Sequence, residues 1–337
     1  MTLVDALPAA LNAEPLHRPA MAARSRAGKT LSIIVPMHNE APGLAELFRR
    51  LDLVTARLGV AVEIVCIDDG SRDATLSLLR ERAGRDPRVK VVALARNFGK
   101  EAALTAGVDA ASGDMAVPLD ADLQDPPELI AEFLTLWEQG FDVVYGVRAD
   151  RSSDSFLKRL TAGLFYRVFN GVSDHPIPAS TGDFRLMDRQ VVEAIRRLPE
   201  RNRFMKGLFA WVGFRQVGVP YVRPAREAGI TSWGYLKLFR FAFDGITAFS
   251  TAPLRMWTGL GLATAAVALI AAAGLVVRVL IVGRELPGYA SLMVVMLFGF
   301  AVQMVAFGVL GEYVGRLYEE VKGRPVYLVR ERLGFDA

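Results

Sequence analysis

Three short polar strings hold the residues of this chain that could do chemistry. The densest is DADLQDPP, in which Asp120, Asp122, Gln124 and Asp125 follow an apolar run. Two carboxylates at i and i+2 point the same way while the chain stays extended. Carboxylate and amide oxygens are hard ligands suited to Mg²⁺ or Mn²⁺. Mg²⁺ takes few protein ligands and completes its shell with substrate phosphates. A diphosphate-bearing substrate is therefore implied. Asp125 precedes Pro126 and Pro127 and fits a helix N-cap with prolines in the first turn.

The second string is IVPMHNE. Pro36 ends a strand's pairing, and His38, Asn39 and Glu40 follow it. The third is Asp68-Asp69-Gly70-Ser71. It reads either as a turn with a cap or as two aspartates accepting hydrogen bonds from a base and a ribose. No phosphate-cradling glycine loop of the Walker or dinucleotide kind occurs, which argues against ATPases and NAD enzymes. The single cysteine, Cys66, lies in an apolar run and reads as a buried thiol.

These strings need a scaffold, and the pattern between Leu31 and Gly146 supplies one. Strands are expected at Leu31, Val62, Val89, Met115 and Asp142, each a short, nearly unbroken apolar run as in strands buried on both faces. Helices are expected over 42–58, 74–83, 101–111 and 126–139. Strand-helix alternation implies a mainly parallel sheet with right-handed crossovers. Ligands bind at the carboxyl ends of such strands, where all three strings fall. Beyond Asp150 the pattern is less regular. Phe156 to Asn170 looks helical, and STGDFRLMDR reads as a loop entering a strand or helix.

The chain has 337 residues, 52% of them hydrophobic, and a net charge of only +4. The apolar excess is local. No charge occurs from Met256 to Val277, nor from Leu286 to Gly311, apart from the short basic connection between them. Each stretch can cross a hydrocarbon core as a helix. Both lie too far along the chain for a signal peptide. Basic residues flank the pair at Lys237, Arg240, Arg255, Arg316, Lys322 and Arg324, so both termini and the catalytic region are expected on the cytoplasmic side. Thr231 to Ser250 has a narrow polar stripe on an apolar, aromatic helix and is expected to lie in the membrane interface. The small-residue run from Gly259 to Gly274 favours helix packing and a homo-oligomer. The expected organisation is a mobile tail over 1–29, a catalytic domain over 30–228 and an interfacial segment over 229–255. A two-helix hairpin over 256–313 and a cytoplasmic tail over 314–337 follow, the tail with a candidate strand in GRPVYLVRE.

Taken together, the strings resemble those of the family-two glycosyltransferases of the GT-A fold. More narrowly, the chain resembles the polyprenyl-phosphate glycosyltransferases, over roughly Leu31 to Val329. The resemblance implies that Pro36, His38, Glu40, Asp68, Asp69, Lys100, Asp120, Ala121 and Asp122 bind the nucleotide. It implies that Asp120, Asp122 and Gln124 surround Mg²⁺ or Mn²⁺. YGVR, ending in Arg148, and TGDFRLMDR, containing Asp183 and Arg185, match the acceptor side. The two arginines could hold a phosphate with forked hydrogen bonds.

The implied enzyme is an inverting, metal-dependent hexosyltransferase of a bacterial plasma membrane. It would move a sugar, UDP-glucose being the preferred donor, to undecaprenyl phosphate for cell-envelope glycan modification. Asp122, Asp183, Arg148 and Arg185 are its catalytic candidates, with Asp183 either a base or an orienting group. Membrane lipid is an expected partner and nucleic acid is not. A processive polysaccharide synthase of the same fold is the nearest rival, but its Gln-x-x-Arg-Trp string is missing here. A transporter subunit would need intramembrane charges on a substrate path, and neither span shows them.

Overall fold

The computed structural model describes residues 23–148, 181–201, 203–222, 252–282 and 288–335. Its first half alternates strand and helix as the apolar runs require. The elements are β1 (Thr30–Met37), α1 (Leu44–Thr55), β2 (Ala61–Asp68), α2 (Thr75–Arg85), β3 (Val89–Leu94), α3 (Lys100–Ala110), β4 (Met115–Pro118), α4 (Ile130–Glu138) and β5 (Val143–Arg148). After the undescribed segment come β6 (Thr181–Asp188), α5 (Arg189–Arg197), α6 (Met205–Trp211) and β7 (Gln216–Tyr221). Two long helices follow, α7 (Ala252–Val282) and α8 (Tyr289–Lys322), and then β8 (Val329–Leu333).

All eight strands join one sheet in the order β7-β5-β6-β4-β1-β2-β3-β8. The pairs β1/β2, β1/β4, β2/β3 and β5/β7 are parallel. Only β6 and β8 run against the rest. This is the mainly parallel α/β architecture expected of a GT-A fold. Strand order reverses between β1 and β4, which opens a crevice at their carboxyl ends.

Helices cover both faces. Leu47 and Leu51 of α1, Leu79 of α2 and Phe133 of α4 pack on one face with Ile33 and Val35 of β1. Leu104 and Val108 of α3, Val191 and Ile195 of α5 and Leu208 of α6 pack on the other with Ile34. Because both sides of β1 are covered, its run is apolar without alternation. Gly107 lets α3 lie close, since a Cβ there would stand 2.1 Å from Ile34 Cγ2.

Four features differ from the sequence-based expectation. Residues 23–29, read as part of a tail, are anchored to the domain. Arg24 bonds to Asp142 and to Phe141 O, Arg26 pairs with Glu138, and Lys29 with Asp114 at 2.8 Å. Second, β6 inserts antiparallel between β4 and β5, where only a loop entering an element was expected. Asp188 then caps α5 by accepting from Gln190 N. Third, α8 continues past the apolar stretch to Lys322, because Glu312 and Arg316 are good helix formers paired at 2.9 Å across one turn. Fourth, among the described residues one helix, Ser291–Lys322, is long and apolar enough to cross a membrane. The described apolar stretch of α7, Gly259–Gly274, is shorter than that requirement. The expected helix at 156–170 and the interfacial segment at 231–250 lie outside the described residues.

The chain returns to the domain after α8. Arg201 N donates to Glu320 Oε1 at 2.9 Å, and Arg201 also bonds to Arg324 O. β8 then pairs with β3, with Arg80 on Glu331 and Tyr327 Oη donating to Asp109 at 2.8 Å.

Candidate active site

The parallel register brings the three strings to one rim. Met37 of β1 pairs with Asp68 of β2, so the HNE and DDGS strings leave adjacent strands at the same level. Pro36 pairs with Ile67 one step below. The strings are knitted by hydrogen bonds. His38 Nδ1 donates to Asp69 O at 2.8 Å. Asn39, at φ +57°, receives Arg72 N on its amide oxygen at 2.8 Å and sends its own N–H to Ser71 Oγ at 2.9 Å. Glu40 N donates to Thr75 Oγ1 at 2.9 Å.

Asp68 and Asp69 are both buried, at 1% and 3% exposure. Asp68 Oδ1 accepts from Ser71 N. Asp69 spends both oxygens on the RNFGK loop, Arg96 to Lys100, taking Phe98 N at 2.7 Å and Gly99 N at 2.9 Å. The intervening Gly70 has φ +63°, and a Cβ on it would stand 2.4 Å from the backbone carbon of Arg96. Only glycine fits there. Asp69 is therefore the organiser of a loop, and that loop presents Lys100.

Lys100 opens α3 and reaches across the crevice. Its Nζ lies 2.7 Å from Asp120 Oδ1 and 2.9 Å from Asp183 Oδ2. Burial works against the ammonium, but the two carboxylates outweigh it and hold its pKa above the usual lysine value. Asp183 sits on β6, whose antiparallel insertion is what brings it beside β4. Burial disfavours its charge as well, yet Lys100, Lys206 and Arg185 hold it well below the usual carboxylate range. Its Oδ1 is buried with no hydrogen-bond partner among the described residues.

The DADLQD string runs with alternating burial. Asp120, Asp122 and Gln124 are partly exposed, whereas Ala121, Leu123 and Asp125 are buried. The period of two survives although Leu123 turns the chain at φ +56°. Asp122 Oδ1 accepts Gln124 N at 3.2 Å, which fixes the pair's spacing. Asp125 does not occupy the N-cap expected of it. The following turn, Pro127–Leu129, has Pro126 at its cap position, and Asp125 Oδ1 accepts the Tyr221 hydroxyl at 2.5 Å.

Among the described residues no three His, Cys, Asp or Glu side chains form a metal cluster by themselves. The donor set is two partly exposed carboxylates and an amide on one edge, one of the carboxylates shared with Lys100. Such a set fits a hard cation that takes most of its shell from a substrate diphosphate and water.

The two arginines differ in setting. Arg148 ends β5 and is partly exposed, with Nη2 near Gly182. Burial lowers its pKa, but Tyr221, Asp125 and Asp120 together hold it above the ordinary arginine value. Arg185 is 4% exposed, lies 4.0 Å over the Phe209 ring and donates to Gly182 O at 2.8 Å. Burial lowers its pKa to about 10. Its charge acts on Asp183, two residues away on β6.

Three site residues have no counterpart in the sequence strings. Glu101, beside Lys100, accepts Met205 N at 2.9 Å and so ties α3 to α6. Burial, with Asp183 adding to it, pushes the Glu101 carboxyl up to about 7. Lys206, at the start of α6, acts by charge on both Asp183 and Glu101. Tyr221 joins Asp125. In β7, Val219 and Tyr221 face inward around exposed Pro220, a placement that no string in the sequence marks.

Residues 32–196 match the family described as Glycosyl transferase family 2. An uncharacterised glycosyltransferase of Synechocystis is 50% identical over 306 residues, covering 91% of this chain and 96% of that protein. The SfII prophage-derived bactoprenol glucosyl transferase of Shigella flexneri is 46% identical over 301 residues, covering 89% of this chain and 97% of that protein. Among solved structures, the mannosyltransferase PcManGT from Pyrobaculum calidifontis, in complex with GDP-Man and Mn²⁺, aligns over 90% of this chain and 91% of its own. Its identity is 17% and its TM-score 0.44.

Proposed function

The chain belongs to glycosyl transferase family 2 and, within it, to the polyprenyl-phosphate glycosyltransferase group; on that premise we propose that it transfers glucose from UDP-glucose to undecaprenyl phosphate with inversion. The observation that best supports this reading is the Lys100 bridge between Asp120 and Asp183. It joins a carboxylate of the diphosphate-facing string to one on the acceptor-facing strand. A site for two anionic substrates needs cations between them, and Lys100, Arg148 and Lys206 stand at that junction.

In the proposed reaction an oxygen of the acceptor phosphate attacks the anomeric carbon. The bond from that carbon to the diphosphate breaks, and UDP departs with the electron pair. Mg²⁺ or Mn²⁺ bound by Asp122, Gln124 and Asp120 would supply charge neutralisation of the diphosphate. Lys100 stabilises the charge that develops on the leaving group. Arg148 holds the acceptor phosphate, whose second pKa of about 6 leaves it mostly deprotonated at neutral pH. No strong base is needed. Asp183 is held below the ordinary carboxylate range and is a weak base, so its role is to orient Lys100 and the acceptor. Arg185 helps hold Asp183 ionised by its charge. Asp68, Asp69, His38, Glu40 and Pro36 form the nucleotide end of the crevice.

The acceptor is a membrane lipid, and α8 supports a membrane anchor. At 1.5 Å per residue its 34 residues span about 51 Å, more than a hydrocarbon core of about 30 Å. The proposed topology has α7 and α8 both crossing the bilayer of a bacterial plasma membrane, with the termini and catalytic domain cytoplasmic. Packing of the small-residue face of α7 between copies would make a homo-oligomer.

The test is a panel of nucleotide-sugars with undecaprenyl phosphate and Mg²⁺ or Mn²⁺, read as lipid-linked product. UDP-glucose should give a product bearing a single sugar. Preference for another donor would refute the glucose assignment, and a polymer would favour the processive reading.

A further inference from the structure

Asp125 turns away from Asp122 and Gln124 into the domain, where it is 2% exposed. A buried carboxylate accepts only, so the Tyr221 hydroxyl must be the donor in their 2.5 Å contact. The hydroxyl keeps lone pairs for a second donor, and the Arg148 guanidinium stands close enough for Tyr221 and Asp125 to raise its pKa. Arg148 and Tyr221 are direct register partners on the parallel strands β5 and β7. The ring between them is tightly placed. A Cβ on Gly146 would stand 2.8 Å from Tyr221 Cε1, and Phe184 meets the ring edge-on at 6.3 Å between centroids. Tyr221 itself is 6% exposed.

A long guanidinium side chain has several rotamers to choose from, and gripping a phosphate with a fork requires one of them. Arg148 Nε is buried without a hydrogen-bond partner among the described residues, so that nitrogen does not fix the rotamer. We infer that Tyr221 is a positioning residue, whose hydroxyl, oriented by Asp125, holds Arg148 in the one arrangement that grips the acceptor phosphate. This rests on the reading of Arg148 as the acceptor-phosphate residue. It also links the two substrates, because Asp125 follows directly on the string proposed to face the donor diphosphate.

The test compares Tyr221→Phe, Gly146→Ala and Arg148→Lys with the parent enzyme, reading acceptor KM, donor KM, UDP binding by calorimetry and the melting midpoint. Tyr221→Phe keeps the ring and removes only the hydroxyl. It should raise acceptor KM by roughly tenfold and leave donor KM and UDP affinity close to the parent, while the melting midpoint falls because buried Asp125 loses this donor. Gly146→Ala, which displaces the ring while leaving the hydroxyl in the sequence, should raise acceptor KM in the same way. An unchanged acceptor KM in Tyr221→Phe overturns the inference, as does a parallel loss of UDP binding. Arg148→Lys separates the two claims. If it raises acceptor KM and Tyr221→Phe does not, the positioning role alone fails. If Arg148→Lys leaves acceptor KM unchanged, the assignment of Arg148 fails.

Discussion

Asp120 and Asp183 share one ammonium group, that of Lys100, at 2.7 Å and 2.9 Å. The two carboxylates come from a loop after β4 and from the antiparallel strand beside it. Removing the cation leaves two negative groups facing a diphosphate. Lys100→Met should lower transfer by about 100-fold or more. The loss of stability should be smaller than for a fully buried pair, because the ammonium side chain is 47% exposed. Lys100→Arg should recover part of the rate. Initial rates and melting curves on the three proteins check this, and near-parental turnover in Lys100→Met would refute it.

The metal assignment predicts a clean separation of chemistry from folding. Asp122 is partly exposed and sits in a short turn with Gln124. Asp122→Asn keeps the turn's acceptor oxygen and removes the charge. Turnover should be abolished and the melting midpoint held. Mn²⁺ should tighten UDP binding by the parent protein in calorimetry and do little for the variant. Full activity in Asp122→Asn would sink the assignment.

Glu101 predicts a pH dependence of stability. Its folded pKa, about 7, lies above the ordinary value of 4.5. The folded state therefore holds this proton more tightly than the unfolded chain. The stabilisation is complete below pH 4.5 and is lost as pH rises through 7. The slope from this one group is at most about 1.4 kcal/mol per pH unit. Glu101→Gln keeps an acceptor for Met205 N and should flatten that part of the profile. Melting midpoints of the two proteins across this window make the comparison, and superimposable slopes would count against it.

Gly70 gives a test of how the proposed nucleotide end is built. Its φ of +63° and the 2.4 Å approach to Arg96 leave no room for a side chain. Gly70→Ala should push the DDGS and RNFGK loops apart and break the Asp69 bonds to Phe98 and Gly99. Donor KM should rise and stability fall by about 1–3 kcal/mol. A variant with parental donor KM would show that the loops are not coupled through this contact.

The sequence made the centre of the sheet legible because β1 to β4 are covered on both faces and read as unbroken apolar runs. It made the three strings legible because strands of this kind end in their ligand-facing loops. It could not show β6, where Asp183 and Arg185 stand within the strand and interrupt the apolar pattern. It could not show that Asp125 answers to Tyr221, 96 residues away, since a local cap explained the same residue equally well. β8 was only a candidate strand for a related reason. Its side chains are mostly exposed and charged, and its place is fixed by backbone pairing along β3.

That pairing has a bearing on how the molecule is made. β3 is translated more than two hundred residues before the strand that covers its free edge, and α7 and α8 come between them. Domains begin to fold during synthesis, amino-terminal parts first. The nascent catalytic domain must therefore wait with an open sheet edge, the kind of surface that recruits other strands, until α8 has left the ribosome. The edge is sealed only once α7, α8 and β8 have all been made, so a chain cut short before β8 is left with an exposed, sticky sheet edge.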